Sequence, residues 1–137
     1  MTVGNPPLAG MEEGLVDATW LRGLAGGQNE FFQNGLAAPN AASQATGTPI
    51  PTGMALVEVD SSVSTGSVVL PFAAAGTEIQ LINNTANTVN VYASPVINPS
   101  TGALDTINAL ANATAFPATA NNLFAFACAK NGKWAAK

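Results

Sequence analysis

Gly76-Thr77-Glu78-Ile79-Gln80-Leu81-Ile82-Asn83-Asn84-Thr85-Ala86-Asn87-Thr88-Val89-Asn90-Val91-Tyr92 is the stretch that decides the fold class. Ile79 and Leu81 alternate with polar neighbours, and Val89 and Val91 do the same after an Asn/Thr-rich break. A period of two puts one side chain in and the next out, which is the pattern of a half-buried strand. The two arms and the break read as a hairpin. Upstream, Leu56-Val57-Glu58-Val59-Asp60 alternates with Val57 and Val59 inward, and Val68-Val69-Leu70 follows. Downstream, Leu123 to Cys128 and Lys133-Trp134-Ala135 flank Asn131-Gly132, a type I′ turn signal that predicts a second hairpin. Helical periodicity is absent, and no repeat of fixed period is visible. The spacing predicts an all-β fold, a small antiparallel β-barrel or sandwich over residues 54–137.

Residues 1–53 differ in composition. They are rich in Gly, Pro, Ala and Asn and read as an extended N-terminal arm and linker with at most a short helix. That helix would be capped by Asp17 ahead of Ala18 to Leu24 and stopped by Gly23, Gly26 and Gly27. Ala37 to Pro51 reads as extended, since Pro49 and Pro51 exclude helix. The arm carries Leu8, Leu15, Trp20, Leu24, Phe31 and Phe32 as spaced apolar residues. A Gly-rich segment cannot make its own core around them. Burying one such large side chain is worth roughly 1.5–3 kcal/mol, so Trp20, Phe31 and Phe32 either pack back on the β-domain of the same chain or anchor the arm on a neighbouring subunit. The second is favoured, and these six are the expected partner-binding residues.

Charge narrows the function classes. Charged residues are 9% of the 137, against about 25% in ordinary soluble domains, so much of the surface is expected to be covered by other protein. The net charge is −4, and the basic residues are Arg22, Lys130, Lys133 and Lys137. Replacing counterions at phosphates needs more than that, so nucleic acid is excluded as a direct partner. No apolar run reaches the ~18–20 residues that span a bilayer, so no membrane is expected. The N-terminus lacks the basic and apolar regions of a signal peptide, which implies synthesis in a cytoplasm.

Catalytic chemistry lacks its parts. There is no His, so neither a Ser-His-Asp triad nor an activated Cys is available. Cys128, the single cysteine, shares a strand face with Phe124 and Phe126 and reads as a small buried hydrophobe. Glu58 and Asp60 would project from one strand face, as a solvated pair rather than a cation site. Asp105 reads as capping backbone in a turn. No phosphate-binding glycine motif occurs. Asn83-Asn84-Thr85 and Asn112-Ala113-Thr114 match the glycosylation triplet by chance. A non-enzymatic protein with no cofactor and no metal is expected.

Several short elements in fixed order resemble the β-domain of tailed-phage virion structural proteins. Gly76 to Tyr92 resembles its G-x-x-I-x-V-x-N-x-x-x-N-x-V-x-V-[YF] stretch. Val69-Leu70-Pro71 is similar to its V-x-L-P strand, and Asp105-Thr106-Ile107-Asn108-Ala109 to its D-T-I-N-G segment, with Ala109 where the family has Gly. Phe124 to Cys128 through Gly132-Lys133-Trp134 resembles its closing hairpin. The resemblance covers roughly residues 55 to 137. It implies a virion component made in the host cytoplasm and carried on the capsid surface, namely a capsid decoration (cement) protein of a bacteriophage. Such a protein binds the major capsid protein through arm and β-domain and forms a homo-oligomer, with a trimer favoured by analogy. The alternative is the base or shaft of a head or tail fibre. A carbohydrate-binding β-module is the weakest of the three, because two Trp and one Tyr make few aromatic platforms.

Overall fold

The computed structural model describes residues 32–137, which form one compact unit. The helix, arm and anchor residues expected within 1–31 lie outside the described residues. Ten strands make up the unit: β1 (Phe32–Ala38), β2 (Thr48–Pro49), β3 (Leu56–Ser62), β4 (Ser67–Val69), β5 (Glu78–Asn83), β6 (Val89–Tyr92), β7 (Thr106–Ile107), β8 (Phe116–Ala118), β9 (Asn122–Lys130) and β10 (Lys133–Ala136). No helix occurs among the described residues, so the all-β expectation holds there.

Strand pairing differs from the expected barrel or sandwich. From β1 to β6 the chain alternates between two sheets. One sheet has the order β1-β3-β5-β9-β10-β7 and the other β2-β4-β6-β8. Within the winding, β1 pairs with β3, β3 with β5, β2 with β4 and β4 with β6, all parallel. Each circuit lays a rung on the previous one. In the first sheet Leu56 lies opposite Gln80 and Val57 opposite Leu81, an advance of 24 residues. In the second, Thr48 lies opposite Val68, an advance of 20, and Ser67 opposite Asn90, an advance of 23. This is a β-solenoid, in which each rung buries its apolar side chains by stacking on the next. The winding then reverses. β8 runs antiparallel to β6, β9 antiparallel to β5, and β10 returns along β9 with β7 parallel beside it.

The expected hairpin between residues 77–81 and 89–91 is therefore not formed, because β5 and β6 belong to different sheets. The Asn/Thr-rich break is a corner between the sheets. The segment expected as a linker is likewise structural. β1 and β2 are the first rung, so the β-unit begins at Phe32 rather than at 54. Pro49 is tolerated in β2 because that strand ends its sheet.

Side chains from both sheets meet in one core. Val57, Leu81 and Phe124 stand in register across the first sheet, and Val68, Val91 and Phe116 across the second. Val57, Leu81, Val68 and Val91 have no exposed surface at all. Phe116 joins the layers at the reversed end. Its ring meets Phe124 edge-on at 5.7 Å and Phe126 at 5.4 Å, the arrangement aromatic quadrupoles prefer. Rung stacking also dictates Gly66, where a Cβ would collide with Ser62 Oγ and the Ala38 carbonyl one rung back.

The hairpin at Asn131-Gly132 does form, with Lys130 opposite Lys133. It is not a type I′ turn, because only Gly132 takes a positive φ, 85°. Asn131 instead accepts the Ala75 N–H at 2.8 Å, and the Gly132 N–H donates to Ala73 O at 2.9 Å. The turn is shaped by the loop it docks on.

At the position where the resembled family carries Gly, Ala109 has φ 61°, following Asn108 at 49°. Asn108 is braced by two bonds to the Ala136 backbone, of 2.9 and 2.8 Å. Ala109 has no such brace in its own side chain, and a left-handed conformation costs an L-residue about 1–2 kcal/mol. Glycine would remove that strain but adds freedom to the unfolded chain worth about 0.4–1 kcal/mol. The expected outcome for Ala109→Gly is unchanged or higher stability, by up to about 1 kcal/mol, read from the urea midpoint. A clear fall would show that the local backbone is not strained.

Candidate interaction surface

The residues singled out for chemistry do not converge. On β3, Val57 and Val59 are buried while Glu58 and Asp60 turn outward, as the alternation requires. Glu58 Oε2 accepts a hydrogen bond from Asn84 Nδ2 at 3.0 Å. Among the described residues no three His, Cys, Asp or Glu side chains gather where a metal could sit. Cys128 is buried, its thiol donating to Lys130 O at 3.1 Å. Both glycosylation triplets have their asparagine amides engaged. Asn83 is fully buried, and Asn112 Nδ2 donates to Ser94 O and Asp105 O at 2.8 Å each.

Asp105 is fully buried and does more than cap its own turn. Its carboxylate accepts the Ala73 N–H at 2.8 Å and Asn98 Nδ2 at 2.9 Å. Gln44 Nε2, from the first rung, reaches Ala93 O at 2.7 Å and Asn112 Oδ1 at 3.0 Å. Buried polar groups are stable only when so satisfied. This network ties the long segment after β6 to the solenoid. Its role is to hold a loop, and the loop in turn shapes a surface.

That surface is an open groove of about 460 Å³ beside the second sheet, lined among others by Pro49, Ile50, Pro71, Phe72 and Pro95. Ile50 and Leu70 are equivalent positions on successive rungs. The Ile50 N–H donates to Val69 O at 2.8 Å, and the Leu70 N–H donates to Tyr92 O at 2.8 Å. Each is followed by a proline, Pro51 and Pro71, just past the end of its strand. Phe72 then stands 40% exposed, and beyond Pro95 come Val96 at 59% and Ile97 at 58%. Large apolar side chains left in water next to an apolar groove mark a site that other molecules cover.

Charge is distributed to match. Residues 32–137 carry seven charged side chains, and Asp105 is the buried one. Glu58, Asp60, Glu78, Lys130 and Lys133 lie on β3, β5, β9 and β10, and Lys137 directly follows β10. The strands of the second sheet have none. Of the expected partner-binding residues, Leu8, Leu15, Trp20, Leu24 and Phe31 lie outside the described residues. Phe32 opens β1, its backbone opposite Leu56. Phe72, Val96 and Ile97 were not among the expected anchors. Their sequence signal is the recurrence of an apolar residue before proline, Ile50-Pro51 and Leu70-Pro71, which marks the outer corner of a rung. The chain matches no protein-family model, no curated protein and no solved structure.

Proposed function

We propose that this chain is a non-enzymatic structural protein of a tailed-phage particle, a decoration protein that packs on the major capsid protein and braces the head. The observation that carries the reading is the second-sheet side of the solenoid, without charge on its strands and bearing exposed Phe72, Val96 and Ile97 beside an apolar groove. Charge depletion with aromatic and apolar enrichment characterises the buried centre of protein interfaces. The resemblance of residues 55–137 to virion β-domains supplies the particle. In this reading Leu8, Leu15, Trp20, Leu24, Phe31 and Phe32 anchor the N-terminal segment on neighbouring subunits, and copies self-associate on the shell. Contact across joints between capsomers would raise the force needed to separate them. A fibre base or shaft is the second reading, favoured by the stacked rungs, since a stack is how fibres lengthen. The antiparallel β8 and β9 close one end of the stack and count against continuation there.

The test is co-sedimentation of purified protein with phage heads that lack it. The full chain is expected to bind. Phe72→Asp with Ile97→Asp, both on exposed side chains, should weaken binding at least tenfold, since truncating an interface anchor often costs about 2 kcal/mol. Removing residues 1–31, and stopping short of β1, should abolish it. Failure of the wild-type chain to sediment with heads, or its recovery with fibres alone, overturns the decoration reading.

A further inference from the structure

We infer that the outer face of the first sheet is a second, separate interface, by which two copies of this chain pair about a two-fold axis. Outward positions across β3, β5, β9 and β10 form rows. Glu58, Ile82 and Leu123 make one, and Glu78, Ala127 and Ala135 another. Between them, Leu56, Gln80 and Ala125 lead to Lys137, which exchanges two backbone hydrogen bonds with Ala125. Acids therefore occupy the β3–β5 flank and lysines the β10 flank, with small and apolar side chains between. Leu123, in the end row beside Ile82, is 54% exposed.

This face complements itself. A two-fold axis parallel to the strands, placed over the β5–β9 boundary, lays the acidic flank of each copy on the lysine flank of the other. Glu58 then lies diagonal to Lys137, and Glu78 to Lys133. Ala125, Ala127 and Ala135 let the sheets approach to about the 10 Å of ordinary face-to-face packing. Such isologous contacts are the commonest way soluble proteins self-associate. Four strands spaced about 4.8 Å apart give a contact on the order of 300–400 Å² per copy, below the roughly 800 Å² per partner of a stable complex. The pair is accordingly weak in dilute solution and is favoured where copies are held close together. The inference refines the self-association part of the proposed function, in favour of pairs over the expected trimer, and does not depend on what the second-sheet side binds.

Sedimentation equilibrium of the full chain from micromolar to about 1 mM, with and without high salt, tests it. A monomer–dimer equilibrium weakened by salt is expected. Leu123→Glu should abolish it without unfolding the protein, as circular dichroism would show. Glu58→Lys with Glu78→Lys should weaken self-association about tenfold, as should Lys133→Glu with Lys137→Glu. Mixing the two charge-reversed proteins should restore a heterodimer. The inference is overturned by a chain that stays monomeric throughout, by trimers, or by an oligomer that ignores both Leu123→Glu and the reversals. Loss of head binding with pairing intact would count against the decoration reading alone.

Discussion

A fragment beginning at residue 55 should fail to fold cooperatively, whereas 32–137 should unfold in one transition like the full chain. Deleting the first rung removes β1 and β2, and with them Leu36, Ala38 and Ile50 from the core. Leu36 and Ile50 alone represent about 3–6 kcal/mol of burial. The cut also strips the Asn40 carbonyl from Ser67 Oγ (3.0 Å) and Gln44 from Ala93 and Asn112. The newly opened edges of β3 and β4 would present unpaired N–H and C=O groups, an invitation to aggregate. Domains are stable by only about 5–15 kcal/mol in total, so the loss is comparable to the whole stability of a unit of this size. Urea unfolding followed by Trp134 fluorescence and far-UV circular dichroism on both fragments decides the matter. If 55–137 unfolds with the same midpoint and slope as 32–137, the first rung is an appendage and the unit begins near residue 54 after all.

Why the first rung reads as a linker in sequence is instructive. Alternation reports which side chains face inward, and it does so correctly for Val57 and Val59, for Ile79 and Leu81, and for Phe124 and Phe126. It carries no information about which strand lies alongside. Ile79-x-Leu81 and Val89-x-Val91 look the same whether they pair with each other or with strands a rung away. The repeat that would have revealed stacking is obscured because its advance varies, 24 residues in one sheet and 20 or 23 in the other. Corners of unequal length absorb the difference, so no fixed period survives. Short strands compound this. β2 spans two residues and β4 three, and β4 is buried throughout, which removes its alternation. The groove escapes for a related reason. Pro71 and Pro95 look like interruptions, and only the folded chain shows that both line one groove with Phe72, with exposed Val96 and Ile97 following Pro95. The closing hairpin, by contrast, is local, and Asn131-Gly132 signals it directly, though the loop it packs on changes the turn type.

Asn83→Ala should cost on the order of 3 kcal/mol or more. The position aligns with the inward Val59 one rung back and is fully buried, so burial alone favours an apolar residue there. What forbids it is the corner. Asn83 Nδ2 is shared among the carbonyls of Asn87 (2.8 Å), Ala118 (2.8 Å) and Thr119 (3.1 Å). Its Oδ1 accepts the Thr85 N–H at 3.1 Å and the Thr85 hydroxyl at 2.8 Å. One side chain thus satisfies the turn that carries the chain from β5 to β6 and the connection from β8 to β9. Without it, the buried Ala118 carbonyl and the Thr85 N–H lose their side-chain partner, each at about 1–3 kcal/mol, before any cavity is counted. Asn83→Asp should be comparably harmful. It keeps the acceptor but sets a second oxygen against three backbone carbonyls. Thr85→Val removes only the hydroxyl and should cost about 1 kcal/mol. Because both act on one corner, Asn83→Ala combined with Thr85→Val should fall short of the sum by 0.5 kcal/mol or more, by about the margin neighbouring sites usually show. Urea denaturation of the three variants and the double variant measures this. Additive, small losses would mean that Asn83 is merely tolerated at the corner and that the turn holds its shape without it.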